Sequence, residues 1–285
     1  MGILIKGKPV ADAITSEVKK EADELIQKGM VPKLKIVRVG EREDDLAYER
    51  AAIKRMEACN ISSEVLVLPS DISQDDFIEH LKNVNSDGSV HGILLFRPLP
   101  KQINENDVKF IISPEKDIDC FNPINVAKVV EGDETGFPPC TSSAAVEILK
   151  YYNVELSGRE AVVLGRSMVV GKPAAMLLLK ENATVTICHS RTKNLEDVTR
   201  RADILIAAIG RSNFITGDYV KEGAAVIDVG INVDEEGKIT GDVTTSDCIE
   251  KAGLITPVPA GVGSVTTAVL AKHVIKACKL NNRGV

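Results

Sequence analysis

Apolar and polar positions follow two different periods along the chain, and segments of the two kinds alternate. Short apolar runs such as KLKIVRVG at 33–40 and HGILLF at 91–96 predict buried strands, because glycine or proline follows each of them. In the segments between such runs, apolar residues recur with helical spacing and predict amphipathic helices, one of them over 44–59. Strand and helix alternate over most of the chain. The pattern therefore predicts parallel α/β layers.

A segment rich in proline and glycine, EGDETGFPPCTSSAA at 131–145, interrupts this order and predicts a junction between two domains. Past the junction the alternation of strand and helix restarts. A final helix over 264–279 has no domain of its own, so we expect it to pack back on the first domain. The predicted division is an N-terminal domain of residues 1–140, completed by the C-terminal segment 264–285, and a second domain of residues 141–263.

The 285 residues are 44% hydrophobic and carry a formal net charge of −6. This composition is typical of a globular protein. Because a domain usually has roughly 150 residues, a chain of this length favours two domains. A net negative charge argues against general binding to nucleic acid or to an anionic membrane surface. We therefore expect small molecules as partners, with no nucleic acid and no membrane.

The six cysteines lack the close pairs and the spacings of a disulfide framework or a zinc site, and the four histidines are scattered without metal-ligand spacing. We therefore expect no metal. The N-terminus shows neither a signal-peptide pattern nor a myristoylation pattern. Because the cysteines also fit a reducing compartment and no apolar run is long enough to span a membrane, the sequence predicts a cytoplasmic protein.

The segment AVVLGRSMVVGKPAAMLLL, residues 161–179, predicts a strand, a turn at Gly165, a short loop with Gly171, and a helix that begins near Pro173. A glycine at a strand end permits a tight turn, and the N-terminus of the next helix offers N–H groups to a phosphate. The spacing differs from the GxGxxG fingerprint. An ordinary strand-to-helix turn in a doubly wound sheet therefore fits this segment about as well as a nucleotide site does.

The following strand ends at CHSRT, residues 188–192, where folds that bind NAD usually place an acid on the ribose hydroxyls. Ser190 and Arg191 occupy this place, and Arg166 lies in the preceding glycine loop. An acid would repel a ribose phosphate, whereas an arginine can bind one through two hydrogen bonds. The pattern favours NADP over NAD as the cofactor. NAD use and two solvated surface arginines are the alternatives.

Six motifs follow one another along the chain: HGILLFRPLP, PEKDIDCFNP, GRSMVVGKP, CHSRT, VIDVGIN and TPVPAGVGS. With these motifs the chain resembles the methylenetetrahydrofolate dehydrogenase/cyclohydrolase family over nearly its whole length. The resemblance implies an N-terminal α/β folate-binding domain, a Rossmann-type doubly wound NAD(P)-binding domain, and a cleft between the two. It also implies tetrahydrofolate one-carbon derivatives as substrates and a homodimer.

The resemblance assigns cofactor-binding roles to residues of the second domain. Gly165, Arg166 and Ser167 match the family's cofactor loop. Ser190 matches a contact at the end of the second strand, and Arg191 beside it is the candidate for the ribose phosphate. Ile231, in VIDVGIN, matches the residue on the nicotinamide side.

Folate-binding roles follow from the same resemblance. Tyr48 matches the tyrosine against which the folate ring packs, and Asp119 matches the acid that accepts hydrogen bonds from the pterin N–H groups. Apart from the motifs around it, Asp119 also fits a turn or capping aspartate. The loop 257–263 matches a glycine-rich wall of the cleft, with Ala260 and Ser264 where glycine and proline are usual. Tyr48 and Asp119 are the candidate catalytic residues, and the candidate substrate-binding residues are Tyr48, Phe96, Asp119, Pro257, Pro259 and Gly261.

The chain departs from the family pattern at three further positions. Bifunctional members carry Tyr-x-x-x-Lys, and Ala52 stands at the lysine position; Phe96 replaces a glutamine and Cys120 a glycine. Hydride transfer mainly requires that two rings be positioned, whereas hydrolysis of the methenyl bridge gains from an amine of adjusted pKa. We therefore expect an enzyme that oxidises 5,10-methylenetetrahydrofolate to 5,10-methenyltetrahydrofolate with NADP and whose cyclohydrolase activity is lost or nearly lost.

Two other functions stay open at this point. The first is the full bifunctional enzyme that produces 10-formyltetrahydrofolate, with water or a displaced Lys54 in place of the missing amine. The second belongs to another class, a non-catalytic folate or nucleotide sensor that keeps the fold without turnover. A dehydrogenase that acts on a related pterin carrier is a further variant, because the fold alone does not name a substrate.

Overall fold

The computed structural model describes residues 1–233 and 236–281. Its strands are β1 (Ile3–Leu4), β2 (Lys33–Val39), β3 (Ser62–Leu68), β4 (Gly92–Leu95), β5 (Glu160–Leu164), β6 (Thr184–Cys188), β7 (Ile204–Ala207), β8 (Ala225–Asp228), β9 (Asn232–Val233), β10 (Ile239–Thr240) and β11 (Leu254–Ile255). Its helices are α1 (Gly7–Gln27), α2 (Glu43–Ala58), α3 (Gln74–Ser86), α4 (Glu105–Val108), α5 (Pro123–Glu131), α6 (Cys140–Tyr151), α7 (Gly171–Lys180), α8 (Leu195–Thr199), α9 (Thr245–Cys248) and α10 (Gly263–Asn281).

The α/β class predicted from the sequence is confirmed, and strands and helices alternate as expected. The hydrophobic pattern missed α5, which begins after the capping residue Asn122 and has Pro123 in its first turn. Gly132 ends this helix in a left-handed conformation, with φ of 73°. Both ends therefore carry standard helix signals, which the composition of the surrounding segment obscured. In the described ranges, every helix is too short or too polar to cross a lipid bilayer.

The chain forms two compact units. We call Met1–Ala11 with Pro139–Thr266 the large-sheet unit, and Asp12–Pro138 with Thr267–Val285 the small-sheet unit. The last four residues of the expected C-terminal segment, 282–285, lie outside the described residues.

The large-sheet unit contains a six-stranded parallel sheet with the order β1-β11-β8-β7-β5-β6. The chain leaves β5 for β6 on one side and then crosses to β7 on the other side, so the strand order reverses at β5. Such a reversal opens a crevice at the carboxyl ends of the strands, where doubly wound folds bind their ligands. Buried aliphatic residues of these strands, among them Val162, Leu205 and Val226, form the core of this unit.

The first eleven residues belong to the large-sheet unit, whereas the sequence placed them in the first domain. The reason is β1, which pairs in parallel with β11 through Ile3 opposite Leu254. The N–H of Gly7 also donates to the carbonyl of Ala260 at 2.9 Å. A two-residue strand carries too little pattern to show which sheet it joins.

The small-sheet unit contains a three-stranded parallel sheet with the order β3-β2-β4. Both strand pairs keep their register along β2, since Leu34 lies opposite Ser63 on one side and opposite Gly92 on the other. The apolar face of α3 covers this sheet through Phe77 and Leu81, which are fully buried. Because the strands of this sheet are buried in that core, they appear in the sequence as apolar runs.

Within the small-sheet unit, the C-terminal part of α10 packs against the segment that carries the candidate residue Asp119. The Nδ1 atom of His273 lies 2.9 Å from the carbonyl oxygen of Ile118, and the imidazole meets the ring of Phe137 edge-on at 5.6 Å. A carbonyl oxygen only accepts, so Nδ1 carries the proton of the neutral ring. Burial lowers the pKa of His273 to about 4.

Titration of His273 should make the stability of the protein depend on pH. The pKa of His273 is about 4 in the folded state, against an ordinary value of 6.5. The contribution of His273 to folding stability is therefore complete above pH 6.5 and is lost as the pH falls toward 4. His273→Gln keeps a donor for the Ile118 carbonyl and does not titrate. We expect the Tm advantage of the wild type over His273→Gln to shrink between about pH 7 and about pH 5 in thermal melts. Parallel melting curves over this range would contradict the prediction.

Candidate functional site

The glycine turn after β5 lies at the point where the strand order reverses. Gly165 has φ of +122°, and a Cβ there would lie 2.2 Å from the carbonyl oxygen of Ala208, which follows β7. A Cβ on Gly171 would lie 2.2 Å from the carbonyl oxygen of Gly165. Only glycine fits at either position, because both contacts are shorter than any real side chain allows. The backbone thus forms a close cradle at the crevice where doubly wound folds bind nucleotides.

The loop between the two glycines is held from inside the unit and presents side chains outward. Arg166 and Ser167 are exposed. The Ser167 hydroxyl accepts a hydrogen bond from the N–H of Val170 at 3.1 Å, and the buried Ser142 hydroxyl donates to the carbonyls of Val169 and Val170. The loop is therefore held by hydrogen bonds within the unit, while Arg166 and Ser167 stay exposed at its surface.

The predicted ribose-phosphate residues lie beside this loop. Leu164 of β5 pairs with Cys188 of β6, so the turn after β6 starts at the same level as Gly165. Ser190 and Arg191 are both exposed in that turn. The turn is closed by His189, whose N–H donates to the Thr192 hydroxyl and whose Nδ1 accepts from the N–H of Arg191. The structure thus brings Gly165, Arg166, Ser167, Ser190 and Arg191 to one edge of the sheet.

A cavity of about 260 Å³ opens at the carboxyl ends of β8 and β11 in the same unit. Its lining brings together the expected nicotinamide-side residue Ile231 and the expected folate-wall residues Pro257, Pro259 and Gly261. Ile231 is 68% exposed, which is unusual for an isoleucine and leaves its side chain available to a ligand. The four residues were assigned from separate motifs, VIDVGIN and TPVPAGVGS, and the fold places them around one space.

A buried carboxylate at this cavity was not singled out from the sequence. Asp228 ends β8, lines the cavity and is 1% exposed. It accepts hydrogen bonds from the N–H groups of Gly230, Asp242 and Val243, each at 3.0 Å. Burial raises the pKa of Asp228 to about 6, and the nearby Asp242 contributes to the same shift. An aspartate at a strand end inside VIDVGIN was the signal available for this group.

In the small-sheet unit, Tyr48 and Phe96 form a pair of rings. Their centroids are 5.8 Å apart at an interplanar angle of 58°, and Phe96 is nearly buried. Ala52 follows Tyr48 by one helical turn and is fully buried. The surface that the sequence assigned to folate packing is therefore aromatic at position 96 and aliphatic at position 52.

Charged side chains near this pair are engaged in structural contacts. Arg38 is buried and forms an ion pair with Glu49 of α2 at 2.8 Å. Arg42 pairs with Asp45 at 2.9 Å and also donates to the backbone carbonyl of Arg97 at 3.3 Å. These contacts join the start of α2 to the end of β2 and to the loop after β4.

The motif PEKDIDCFNP folds into a tight turn around Asp117. Asp117 is buried and accepts from the N–H groups of Phe121 and Asn122 and from the Asn125 amide. Burial raises the pKa of Asp117. The candidate pterin acid, Asp119, is half-buried two residues further along, so its surroundings differ from those of its neighbour.

Two residues stand where the resembled family has glycine, and both keep a glycine-like backbone. Cys120 has φ of 61° and Ala260 has φ of 79°. Residues with a Cβ pay roughly 1 kcal/mol to adopt this left-handed conformation. The backbone shape of both loops is thus retained although the residue has changed. Among the described residues, no group of three or more His, Cys, Asp or Glu side chains could hold a metal ion.

Family models of known proteins match both parts of the chain. The catalytic domain of tetrahydrofolate dehydrogenase/cyclohydrolase matches residues 5–119, and its NAD(P)-binding domain matches residues 139–282. The chain belongs to the tetrahydrofolate dehydrogenase/cyclohydrolase family. The NAD(P)-binding domain therefore coincides with the sheet that carries the glycine cradle.

Individual members of this family match almost the full length of the chain. The bifunctional protein FolD of Clostridioides difficile (strain 630) is 63% identical over 99% of this chain and 98% of its own. The crystal structure of the bifunctional FolD of Campylobacter jejuni is 40% identical, with a TM-score of 0.95, and the match covers 98% of this chain and 99% of that one. FolD of Trypanosoma brucei, solved with NADP cofactor and an inhibitor, is 35% identical with a TM-score of 0.93, over 99% of both chains.

Gly171→Ala should weaken dinucleotide binding, because the added methyl group would displace the loop that starts at Gly165. We expect a loss of about tenfold or more in NADP affinity, measured by calorimetric titration. Gly88→Ala is the matched control, since a Cβ at Gly88 meets nothing within 4 Å. Unchanged NADP affinity in Gly171→Ala would show that the cradle is not part of the site.

Proposed function

We propose that this protein is an NADP-dependent 5,10-methylenetetrahydrofolate dehydrogenase that also acts as a methenyltetrahydrofolate cyclohydrolase. The observation that carries the proposal is the cavity shared by Ile231 and the loop 257–264, in the same unit as the glycine cradle. Such a site suits a reaction in which a nicotinamide meets a second ring. The names of the relatives from C. difficile and C. jejuni, both bifunctional, support the assignment of two activities.

The residues present fit a dinucleotide, because Gly165 and Gly171 let the backbone of the turn after β5 pack where any Cβ would strike a carbonyl oxygen, and the N-terminus of α7 follows this turn directly. When bound, NADP supplies the acceptor for the hydride that leaves the methylene bridge of the folate. Ile231 offers an exposed apolar surface to the nicotinamide side. This chain need not provide a base for the oxidation, since the two flanking nitrogens of the folate stabilise the cation that forms.

The proposed folate-binding residues hold the substrate in position. Tyr48, backed by Phe96, presents a ring face against which the folate ring packs. Asp119 accepts hydrogen bonds from the pterin, whose edge offers adjacent N–H donors. Pro257, Pro259 and Gly261 supply the wall of the cavity on the folate side.

The choice of NADP rests on the turn after β6. Arg191 is exposed there, next to Ser190, and an arginine can bind the ribose phosphate through two charge-assisted hydrogen bonds. The T. brucei FolD structure, which was solved with NADP, supports the same choice. NAD remains the alternative cofactor.

The expected loss of cyclohydrolase activity gains no support from the relatives, and we therefore place the bifunctional enzyme first. Hydrolysis in this chain would then proceed without an amine at position 52. Arg55, one turn beyond Ala52, donates to the hydroxyls of Thr15 and Thr267. An arginine also stays protonated and is a poor base. Water addition assisted by groups other than Arg55 is the form of the reaction that fits these contacts.

A dehydrogenase without cyclohydrolase activity is the second candidate, and specific observations favour it. Ala52 is fully buried and Phe96 packs on Tyr48, so the positions of the family's lysine and glutamine are both apolar. Proton movements at the bridge nitrogens gain from a polar group of adjusted pKa. One assay separates the two candidates.

We also propose a homodimer in the cytoplasm. The dimer follows from the resemblance to the family. A cytoplasmic location is supported by the six cysteines, because all of them are buried as thiols and thiols persist in a reducing compartment.

The two activities are measured together in one cuvette that holds the protein, 5,10-methylenetetrahydrofolate and NADP. For the bifunctional enzyme we expect NADPH absorbance to rise while methenyltetrahydrofolate stays low, because the intermediate is hydrolysed as it forms. An enzyme-free sample gives the rate of spontaneous hydrolysis. Accumulation of methenyltetrahydrofolate in step with NADPH, with decay at the enzyme-free rate, would instead establish the dehydrogenase alone. No NADPH formation in the wild type would contradict both.

Arg191→Ala should raise the KM for NADP by about tenfold and leave the KM for NAD within about twofold, because one charge-assisted contact to the ribose phosphate is lost. The measurement is the initial rate of dehydrogenation with each cofactor. Arg201→Ala is the control, since it removes an exposed arginine of the same unit outside the turn after β6. An equal rise in KM for both cofactors would refute the role of Arg191 in cofactor choice.

A further inference from the structure

Both neighbours of Ile231 are tied to buried carboxylates. The N–H of Gly230 donates to Asp228 at 3.0 Å, and the side-chain amide of Asn232 donates to Asp242 at 3.0 Å. A Cβ on Gly230 would lie 2.3 Å from the carboxyl carbon of Asp242, so the backbone there runs directly against this carboxylate. Ile231 itself is 68% exposed and is held in place through the residues on either side of it.

Asp242 also holds the loop that follows β7. Its carboxylate accepts from the N–H groups of three consecutive residues: Ile209 at 2.6 Å, Gly210 at 3.1 Å and Arg211 at 2.8 Å. The side chain is fully buried. Because β7 adjoins β5 at the reversal of the strand order, one carboxylate links the loop at the nucleotide crevice to the turn that carries Ile231.

The two carboxylates form one connected group. The N–H of Asp242 donates to Asp228 at 3.0 Å, and the N–H of Asp228 donates to the hydroxyl of Thr256 at 2.8 Å, directly before the wall residue Pro257. A carboxylate can accept several hydrogen bonds at once, and each oxygen of Asp242 accepts two. An asparagine at this place would turn an NH₂ group toward N–H donors.

We propose that Asp242 is a positioning residue for the cofactor, which holds Ile231 and the loop 209–211 in the arrangement that receives the nicotinamide end. This inference rests on the proposed NADP-dependent function. Asp242 acts through Ile231 and the loop backbone, and it does not touch the reacting atoms.

The test compares steady-state kinetics of the wild type and Asp242→Asn with NADP and methylenetetrahydrofolate varied in turn. We expect the KM for NADP to rise roughly tenfold or more, because two or more buried N–H donors lose their acceptor and the loops shift. The KM for the folate and the kcat should change much less. A structural role alone would lower the fraction of active protein, which reduces the apparent kcat and leaves the KM for NADP unchanged.

Asp247→Asn is the matched control. The Asp247 carboxylate also fixes a backbone N–H of the same unit, that of Gly217 at 2.7 Å, and lies outside the cavity lining. We expect its KM for NADP to stay within about twofold of the wild type, because the contact it loses is away from the cofactor.

Asn232→Ala tests the same connection if Asp242→Asn does not fold. This variant removes one donor to Asp242 and leaves the carboxylate in place, so we expect a rise of roughly three- to tenfold in the KM for NADP. An unchanged KM for NADP in whichever of the two variants folds overturns the inference. Failure of the wild type to reduce NADP with methylenetetrahydrofolate contradicts the proposed function instead, so the two failures are distinguishable.

Discussion

Parallel pairing of β5 with β6 on one side and with β7 on the other determines where chemistry can take place in the large-sheet unit. Parallel strands end at the same edge, so the turns after them share one rim. The reversal of order at β5 leaves the rim open at the turn that contains Gly165. The candidate cofactor-binding residues of the turns after β5 and β6 lie at this rim because of that pairing, and the candidate Ile231 follows β8, which pairs with β7.

The carboxylates of Asp228 and Asp242 stabilise the loops at this edge of the sheet by accepting hydrogen bonds from their backbone N–H groups. Loops at the end of a sheet carry backbone N–H groups that no neighbouring strand satisfies, and burying them without acceptors costs free energy. Two aspartates supply acceptors for six of these groups in the loops after β7 and β8 and in the segment before α9. The close contacts of Gly230 and Gly241 with these carboxylates leave no room for a side chain. The backbone of these loops is therefore held by buried carboxylates and close glycine contacts at the edge of the sheet where the candidate site lies.

Much of the fold could be predicted from the hydrophobic pattern, since strands such as β2 and β5 are buried on both faces and read as apolar runs. The site residues came from motifs instead. Asp242 could not be found in either way, because its partners Ile209 and Asn232 lie 33 and 10 residues away and only the fold brings them together. The sheet that β1 joins was equally hidden, because a strand of two residues has no period.

The replacements around Tyr48 depend on burial as much as on charge. An amine acts as a base near neutral pH when desolvation lowers its pKa, so a useful lysine would have to lie in a partly buried place. Position 52 is fully buried, and its alanine methyl group fills space that a lysine side chain would need. Phe96 packs on Tyr48, which precedes Ala52 by one helical turn, and adds further apolar volume to the same surface. Ala52→Lys alone would therefore overpack this surface, and the smaller, polar glutamine at position 96 would have to accompany it before the amine could reach a bound folate.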